Sequence, residues 1–229
     1  MMNGSTVFGT IVLTCHSWYC LYSIHKSMSY ITHLQKDKKL ATVIRHHEPF
    51  CLQPRKPVYL QLCNAIIGQQ LSVKVAAVIK SRFLALYPSI PTPADIAQTP
   101  YEQLRSIGLS HAKANYVHNV AQFALINGME QKQLSKMSDG EVIDYLTQIK
   151  GVGRWTVEML LMFTLGREDV FSADDLGIQQ AMQAIYQLPA MDKKARREKL
   201  EKIARKWRPY RTYACLHLWH WKDNPPHFN

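Results

Sequence analysis

The sequence predicts an all-α protein, and three observations support this fold class. From Leu60 onward, successive segments repeat apolar residues at the three- and four-residue spacing of one helix face. Proline, glycine and serine separate these segments at positions typical of helix starts and ends. In about a hundred residues after Pro88 there is no alternating run rich in β-branched residues, the pattern that would indicate a strand.

The first well-defined helix is expected to begin at Pro57, whose fixed φ and missing N–H suit the first helical position. It should break at Gly68-Gln69-Gln70, after which Ser72 can cap a second helix by accepting a backbone N–H. Two helices therefore flank a short polar loop. The spacing predicts one buried face on the second helix, formed by Val73, Ala76, Ala77, Phe83, Leu84 and Tyr87.

A unit of helix, glycine turn and helix then occurs twice. The first copy has its turn at residues 104–109 and a following helix from Ser110 to about Ile126. The second has its turn at residues 146–153 and a following helix from Arg154 to about Leu165. Asn127-Gly128 is a helix stop and marks the boundary between the two copies.

The C-terminal part begins with an acid pair, Asp174-Asp175, ahead of a helix predicted over residues 176–187. Residues 191–211 hold ten Lys or Arg and three acids, a local charge of +7. Such a segment is typical of a solvated helix face and can also follow a phosphate backbone. Residues 213–221 are aromatic and have helical spacing.

Composition restricts the partner and the compartment. The 229 residues carry a net charge of +11, which favours nucleic acid or an anionic membrane without choosing between them. The five cysteines are scattered and form no C-x-x-C pair, so we expect neither a disulfide framework nor zinc, and an intracellular setting fits. The apolar run near the N-terminus is interrupted and no basic residue precedes it, so it is a poor signal peptide and a poor membrane span. Because Met28 directly precedes the first stretch of ordinary soluble character, residues 1–27 are expected to be a non-core extension.

The glycine turn of the second unit is a candidate phosphate site. Gly151 and Gly153 can adopt backbone angles closed to other residues, and the turn leaves N–H groups at the start of the next helix exposed. Such amides, together with the positive end of the helix dipole, suit a phosphate. The alternative is an ordinary tight turn between packed helices.

The acid pair and the tryptophans each have two interpretations. One of Asp174 and Asp175 can cap the helix while the other is a solvated acid. Alternatively, one carboxylate stabilises positive charge on a sugar or activates water, and spacing does not decide between these. Trp155, Trp219 and Trp221 are more typical of a core than of a stacking surface.

Four segments, taken together, resemble the bacterial 3-methyladenine DNA glycosylase II family of the helix-hairpin-helix base-excision superfamily. They occur in family order and spacing, and the resemblance covers roughly residues 30–224. The segments are Ile66-Ile67-Gly68-Gln69-Gln70-Leu71-Ser72, Ile149-Lys150-Gly151-Val152-Gly153-Arg154-Trp155-Thr156, Asp169-Val170-Phe171-Ser172-Ala173-Asp174-Asp175 and Trp207-Arg208-Pro209-Tyr210-Arg211-Thr212-Tyr213-Ala214.

The resemblance implies an architecture and a partner. Two helical lobes, residues 28–56 with 171–229 and residues 57–170, would enclose an active-site cleft. The protein would be a monomer that binds double-stranded DNA containing alkylated bases, with no membrane partner. It would act in the bacterial cytoplasm, at the nucleoid.

The resemblance also implies roles for individual residues. Asp175 would be the catalytic aspartate, and Asp174 would be structural. Trp155 stands where bifunctional members carry a nucleophilic lysine, which implies a monofunctional enzyme without lyase activity. The base pocket would comprise Trp155, Trp219, Met159 and His220; the DNA wedge would be Gln70 with Gln69; the phosphate contacts would be Lys150, Gly151, Gly153, Arg154 and Ser72.

Cofactor expectations follow from the same resemblance. The main-chain carbonyls of Thr147, Ile149 and Val152 match those that bind a monovalent cation, Na⁺ or K⁺, in the hairpin. No cofactor is expected to be required for catalysis, and no four-cysteine cluster follows the hairpin to hold an iron-sulfur centre. The resemblance implies a short form without the N-terminal β domain of longer family members. Met159 and His220 would stand where family members carry pocket tyrosines, which leaves substrate breadth open.

The expected function is therefore excision of alkylated purines of the 3-methyladenine and 7-methylguanine type by base flipping and N-glycosidic hydrolysis. A different class of function, a non-catalytic helix-hairpin-helix DNA-binding protein, would need the glycine turn but neither Asp175 nor an aromatic pocket. Among enzymes, the alternative is a glycosylase for etheno, deaminated or oxidised bases.

Overall fold

The computed structural model of the chain describes residues 29–45, 48–53 and 57–224, and the expected extension over residues 1–27 lies outside them. In these ranges the protein is helical and contains no strand, which confirms the all-α prediction. None of the described helices combines the length and the apolarity that a bilayer crossing requires.

Residues 29–34 form a short helical segment ahead of the numbered helices. These are, in chain order, α1 (Lys38–Ile44), α2 (Val58–Gly68), α3 (Val73–Leu84), α4 (Pro93–Gln98), α5 (Tyr101–Ser106), α6 (His111–Asn127), α7 (Gln131–Leu134), α8 (Asp139–Leu146), α9 (Arg154–Phe163), α10 (Leu176–Tyr186), α11 (Lys193–Ala204) and α12 (Arg211–Asp223), with a 3₁₀ turn at Arg205–Trp207.

The helices pack in two groups. In the first, α2 packs against α3, α6 and α9, while α6 also packs against α4. In the second, α12 packs against α10 and α1. The loop after α9 leads from the first group to the second and ends at Asp175, the residue before α10. This arrangement confirms the two-lobed fold, whereas the exact domain limits at residues 57 and 170 stay predictions.

Short polar side chains start most of the helices that build the site. Each accepts a backbone N–H from the first helical turn and so satisfies a donor that has no partner within the helix. The residues that do so are Ser72, Ser110, Ser138 and Asp175, and Ser138 forms a capping box with Glu141. Ser72 and Ser110 therefore begin helices where the sequence predicted.

Two details of the first helices differ from the sequence prediction. Pro57 has extended backbone angles and precedes α2 as its N-cap, so the helix begins at Val58. On α3, the predicted buried face is only partly correct, because Val73 is 89% exposed and Leu84 is 40% exposed. The residues that do bury are Ala76, Ile79 and Phe83, a stripe with helical spacing that faces α2.

Both units of the predicted repeat are present, α5 with α6 and α8 with α9. Gly108 joins the first pair at a φ of 106°, and Gly151 joins the second pair at a φ of 102°. Gly128, at a φ of 79°, ends α6 as the helix-stop dipeptide predicted. Positive φ is readily available only to glycine, so these residues specify where the chain turns.

Candidate functional site

The acid pair ends in a carboxylate that three N–H groups hold in place. Asp175 is 9% exposed, and its Oδ1 accepts the backbone N–H of Ile178, as an N-cap does. The indole Nε1 of Trp219 donates to the same oxygen at 2.8 Å. The indole Nε1 of Trp155 donates to Oδ2, also at 2.8 Å. Asp175 is thus both a helix cap and the point where two aromatic side chains from different helices meet.

Space for this cluster depends on the absence of a side chain at Gly177. A Cβ there would lie 3.1 Å from Asp175 Oδ1 and 3.1 Å from Trp219 Cδ1, closer than ordinary van der Waals contact. The ring of Trp219 also lies against Phe163, with 6.0 Å between the ring centroids. Trp155 is 47% exposed, which is unusual for so large an apolar side chain, so one indole of the pair is open to solvent.

A cavity of about 270 Å³ lies between α2, α3 and α9, close to this cluster. Met159 and Phe163 line it, and they follow Trp155 on the same face of α9. Asn64, Lys80 and other polar residues also line it, and the side-chain Oδ1 of Asn64 is buried without a hydrogen-bond partner. Phe163 and Met159 thus give the cavity an aromatic and thioether side, and next to it lies a hydrogen-bond acceptor that has no partner.

The structure joins Asp175 to Trp155 and Trp219 by hydrogen bonds, and Met159 follows Trp155 on the same face of α9. His220 is exposed on α12, and its ring lies 6.1 Å from that of Phe50. It follows Trp219 by one residue, so it points to a different side of the helix. The predicted place of His220 in the base pocket therefore stays a prediction.

A buried acid links the candidate phosphate site to the loop that carries Asp175. Glu158 has a side chain 5% exposed on α9, and it accepts from Arg154 Nε at 2.9 Å. Its other oxygen accepts from the hydroxyl of Ser172 at 2.6 Å. Because Arg154 lies at the start of α9 and Ser172 lies three residues before Asp175, Glu158 connects the two ends of the site.

Asp174 has a different environment from Asp175. Its carboxylate forms a salt bridge of 2.6 Å with Arg197 of α11, and both side chains are about one-third exposed. Arg197 also pairs with Glu201 at 3.0 Å. This supports a structural role for Asp174, which ties the start of α10 to the basic helix.

Residues 69–71 connect α2 to α3 and are called the wedge loop after the role expected of Gln70. Gln70 is exposed and has a φ of 57°, a left-handed conformation uncommon outside glycine. Gln69 donates from Nε2 to the carbonyl of Gly151 at 3.4 Å, and Ser72 closes the loop as the cap of α3. The ammonium of Lys113 donates to the carbonyl of Gln69 at 2.7 Å. The loop therefore presents Gln70 outward from a well-tethered backbone.

The hairpin turn between α8 and α9 requires glycine at one of its two glycine positions. A Cβ on Gly151 would lie 2.2 Å from Cγ of Tyr116, which packs beneath the turn. The prediction of unusual backbone angles was wrong for Gly153: its φ of −95° is open to any residue, and a Cβ there would meet nothing within 4 Å. Gly153 instead precedes α9 as its N-cap and leaves the surface over the first amides open.

The other predicted phosphate contacts lie on the same surface. Lys150 is exposed in the turn, and its carbonyl accepts from Nδ2 of Asn119 at 3.2 Å. Arg154 has a side chain 53% exposed despite its ion pair with Glu158. Together with the hairpin glycines, these groups form a basic surface at the amino end of α9.

The three carbonyls expected to hold a cation belong to the same hairpin turn. The carbonyl of Ile149 accepts the N–H of Val152 at 2.9 Å, which leaves one of its two lone-pair positions for another partner. Thr147 follows α8 directly as its C-cap. Neutral carbonyl oxygens are hard ligands, and hard cations such as Na⁺ and K⁺ prefer oxygen ligands. The type of donor atom therefore fits such an ion. Within the described ranges no three His, Cys, Asp or Glu side chains group closely enough for a metal ion.

Several side chains of the site were not identified from the sequence. Glu158 lies in an otherwise apolar helix, and such an acid is a signal of a buried pairing. Gly177, two residues after Asp175 and at the second position of α10, is a signal of close approach. Asn64, Phe163 and Lys113 gave no local signal, because their roles arise from contacts with distant segments.

A buried carboxylate between two indoles, a cavity beside it and a glycine hairpin with a basic surface define the class of protein. The chain belongs to the HhH-GPD superfamily of base excision DNA repair proteins, whose family model matches residues 63–206, more than half of the chain.

Individual relatives are similar over most of their length. The chain is 35% identical over 202 residues to "DNA-3-methyladenine glycosylase 1" of Schizosaccharomyces pombe, covering 86% of this chain and 87% of the relative. A solved S. pombe 3-methyladenine DNA glycosylase in complex with abasic DNA is 32% identical with a TM-score of 0.73, covering 85% of this chain and 97% of that one. A solved DNA-3-methyladenine glycosidase from Bacillus halodurans is 31% identical with a TM-score of 0.74, covering 86% and 89%.

Proposed function

We propose that this protein is a monofunctional DNA glycosylase that removes alkylated purines, of the 3-methyladenine and 7-methylguanine type, from double-stranded DNA. The observation that carries this proposal is the Asp175 carboxylate, held by the indoles of Trp155 and Trp219 next to a cavity. The names of the relatives, which are 3-methyladenine glycosylases, support the same substrate class.

The aromatic side chains suit a cationic base. A purine alkylated at a ring nitrogen carries positive charge, and such a cation is attracted to the face of an indole ring. Trp155 and Trp219 supply two such rings, and the exposed face of Trp155 allows a base to approach once it has left the helix stack. The buried acceptor on Asn64 can receive an exocyclic amino group of the base.

The cleavage step needs little beyond charge stabilisation. The C1′–N bond breaks with its electron pair going to the base, which leaves as a neutral purine because it was already cationic. The positive charge passes to the sugar, and the Asp175 carboxylate stabilises that oxocarbenium-like centre. A water molecule then bonds to C1′, and its proton passes to Asp175 or to solvent.

The absence of strand cleavage follows from the group at position 155. A lyase reaction through a covalent imine needs an amine nucleophile. Trp155 occupies the space beside Oδ2 of Asp175, and its indole N–H donates a hydrogen bond to that oxygen. The lone pair of the indole nitrogen belongs to the aromatic system, so this nitrogen is not a nucleophile. Hydrolysis is therefore the reaction this site supports.

The remaining candidates divide the work of holding DNA. The hairpin around Gly151 and Gly153, with Lys150 and Arg154, would bind a phosphate through amides and positive charge. A monovalent cation on the carbonyls of Thr147, Ile149 and Val152 would add positive charge at the hairpin. Gln70 would fill the gap that the flipped nucleotide leaves, with Gln69 and Ser72 holding the wedge loop.

Single-turnover release of bases from methylated duplex DNA tests the proposal, with Asp175→Asn as the variant and Asp174→Asn as its matched control. We expect the wild type to release 3-methyladenine and 7-methylguanine, and Asp175→Asn to be slower by about two orders of magnitude or more while DNA binding persists. Asp174→Asn should stay within a few fold, because it loses only an exposed ion pair.

Two outcomes would contradict the proposal. Release that Asp175→Asn leaves unchanged would refute the catalytic assignment. Duplex binding with no release of any base from a panel of alkylated, etheno, deaminated and oxidised substrates would indicate a non-catalytic DNA-binding protein. The same reactions, analysed for strand breaks before alkaline treatment, report lyase activity, and we expect none. A monomeric elution volume and localisation with the bacterial nucleoid remain expectations that chromatography and microscopy can test.

A further inference from the structure

The ammonium of Lys113 holds the backbone of the wedge loop. Its Nζ donates to the carbonyl of Ile67 at 2.9 Å and to the carbonyl of Gln69 at 2.7 Å. These carbonyls lie at the C-terminal end of α2, where the last helical carbonyls have no partner within the helix. A cation at this end also interacts favourably with the helix dipole. Lys113 therefore fixes the backbone on both sides of Gly68, directly before Gln70.

The position of Lys113 within α6 is unfavourable for a lysine. Lys113 lies in the first turn of α6, where the positive end of the dipole favours acids over lysine. Burial of its ammonium lowers its pKa, so the charge has lost part of its hydration. The hydrogen bonds to the carbonyls of Ile67 and Gln69 offset both costs.

The same helix also holds the hairpin. Tyr116 packs beneath Gly151, and Asn119 donates to the carbonyl of Lys150 at 3.2 Å. Residues 113, 116 and 119 are spaced by three, so they follow one side of α6. That side of α6 thus sets the separation between the wedge loop and the candidate phosphate site.

We propose that Lys113 is a positioning residue for base flipping, which keeps the Gln70 wedge rigid while the hairpin grips the backbone. This inference rests on the proposed glycosylase function. Extruding a paired base from the duplex costs a few kcal/mol in lost stacking and pairing. A wedge side chain lowers this cost only if its backbone stays in place while the neighbouring base pairs tend to restack. Without the lysine, the loop would yield and the base would spend less time in the cavity.

The test compares one lesion in two contexts. Single-turnover release of 7-methylguanine is measured with the lesion paired to cytosine and with the lesion opposite an abasic site, where extrusion costs less. We expect Lys113→Met to slow release from the paired duplex about tenfold, on the order of the loss of one charge-assisted hydrogen bond. Release from the unpaired context should slow about threefold or less. Lys113→Arg should recover most of the paired rate, since it keeps a cationic donor.

Two controls separate positioning from general effects. Lys136→Met removes the same charge from an exposed position in the turn after α7 and should leave both rates unchanged. In a Gln70→Ala background, which lacks the wedge side chain, Lys113→Met should add little further loss, because the two residues act on the same step. Fluorescence of a 2-aminopurine beside the lesion should rise less on binding Lys113→Met than on binding wild type.

Equal slowing in both contexts, or losses that add fully in the double variant, would overturn the inference and assign Lys113 a purely structural role. Unchanged rates for Lys113→Met would overturn it as well. Should Lys113→Met not fold, Lys113→Gln and the Gln70→Ala comparison give the same decision. A wild-type protein that releases no base would instead refute the proposed function.

Discussion

Replacement of Gly151 by alanine tests the hairpin geometry directly. The residue has a φ of 102°, and holding a non-glycine residue in such a region costs about 1–3 kcal/mol. The new Cβ would also lie 2.2 Å from Cγ of Tyr116, so the ring or the turn must move, at an overpacking cost of about 1–3 kcal/mol. We expect Gly151→Ala to destabilise the fold by about 2–6 kcal/mol, or at least about 4 °C in Tm.

Gly153 provides a matched control in the same turn. Its φ is −95° and a Cβ would meet nothing within 4 Å, so Gly153→Ala should change stability by less than about 1 kcal/mol, because the gain through the unfolded state opposes the lower preference of alanine for the N-cap. Its new methyl group would nevertheless lie on the open surface over the amides of α9. We therefore expect Gly153→Ala to weaken duplex binding while stability is retained.

Urea unfolding and binding to an abasic duplex measure these two properties separately. In Gly151→Ala, further replacement of Tyr116 by alanine should relieve the overlap and leave the backbone strain, so the two changes should be non-additive by about 1–3 kcal/mol. Stability of Gly151→Ala within about 0.5 kcal/mol of wild type, or no coupling with Tyr116→Ala, would refute the reasoning.

Three further predictions concern the Asp175 carboxylate, the hairpin and stability. Trp155→Phe keeps an aromatic ring but removes the hydrogen bond to Asp175, so single-turnover release should slow about tenfold or more with duplex affinity retained; an unchanged rate would contradict this. Lys150→Gln should reduce the slope of log K against log salt by about 0.9, the value for one lost phosphate contact, whereas Lys136→Gln should not. Burial alone would raise the pKa of Asp37, but hydrogen bonds from Lys206 and other donors outweigh it and lower the pKa below the ordinary 3.8. The lowered pKa means that Asp37 stabilises the fold above about pH 4 and loses this effect as pH falls. Because Lys206 is half exposed, Asp37→Asn should cost about 1.5–3 kcal/mol at pH 7, the scale of a hydrogen bond to a charged group, and progressively less in acid unfolding experiments.

Much of the fold could be predicted because its signals are local. Ser72, Ser110 and Asp175 cap helices through contacts two or three residues away, and Gly128 ends a helix by its own backbone angles. The face of α3 was harder. Apolar spacing fitted more than one stripe, and packing against α2 selected the stripe that contains Ile79.

For the candidate site too, the residues with local sequence signals could be predicted, and those held by distant contacts could not. The glycine turn and the acid pair are sequence patterns, and the resemblance to known glycosylases was needed to prefer Asp175 over Asp174. Lys113 and Glu158 bind partners 44 and 14 residues away, at Gln69 and Ser172, so no window of sequence contains the reason for either residue. Which side of α12 carries His220 depends on how that helix packs, and no local pattern of the sequence determines this.

The hydrogen bonds from both indoles to Asp175 have a kinetic consequence. These hydrogen bonds connect the two rings that would stack on the base to the carboxylate that would stabilise the sugar cation. A base that displaces a ring would therefore also displace the carboxylate. A poorly fitting lesion would then be admitted and held but hydrolysed slowly. We expect discrimination among lesions to lie in kcat more than in KM, with selectivity exercised after the nucleotide has entered the cavity.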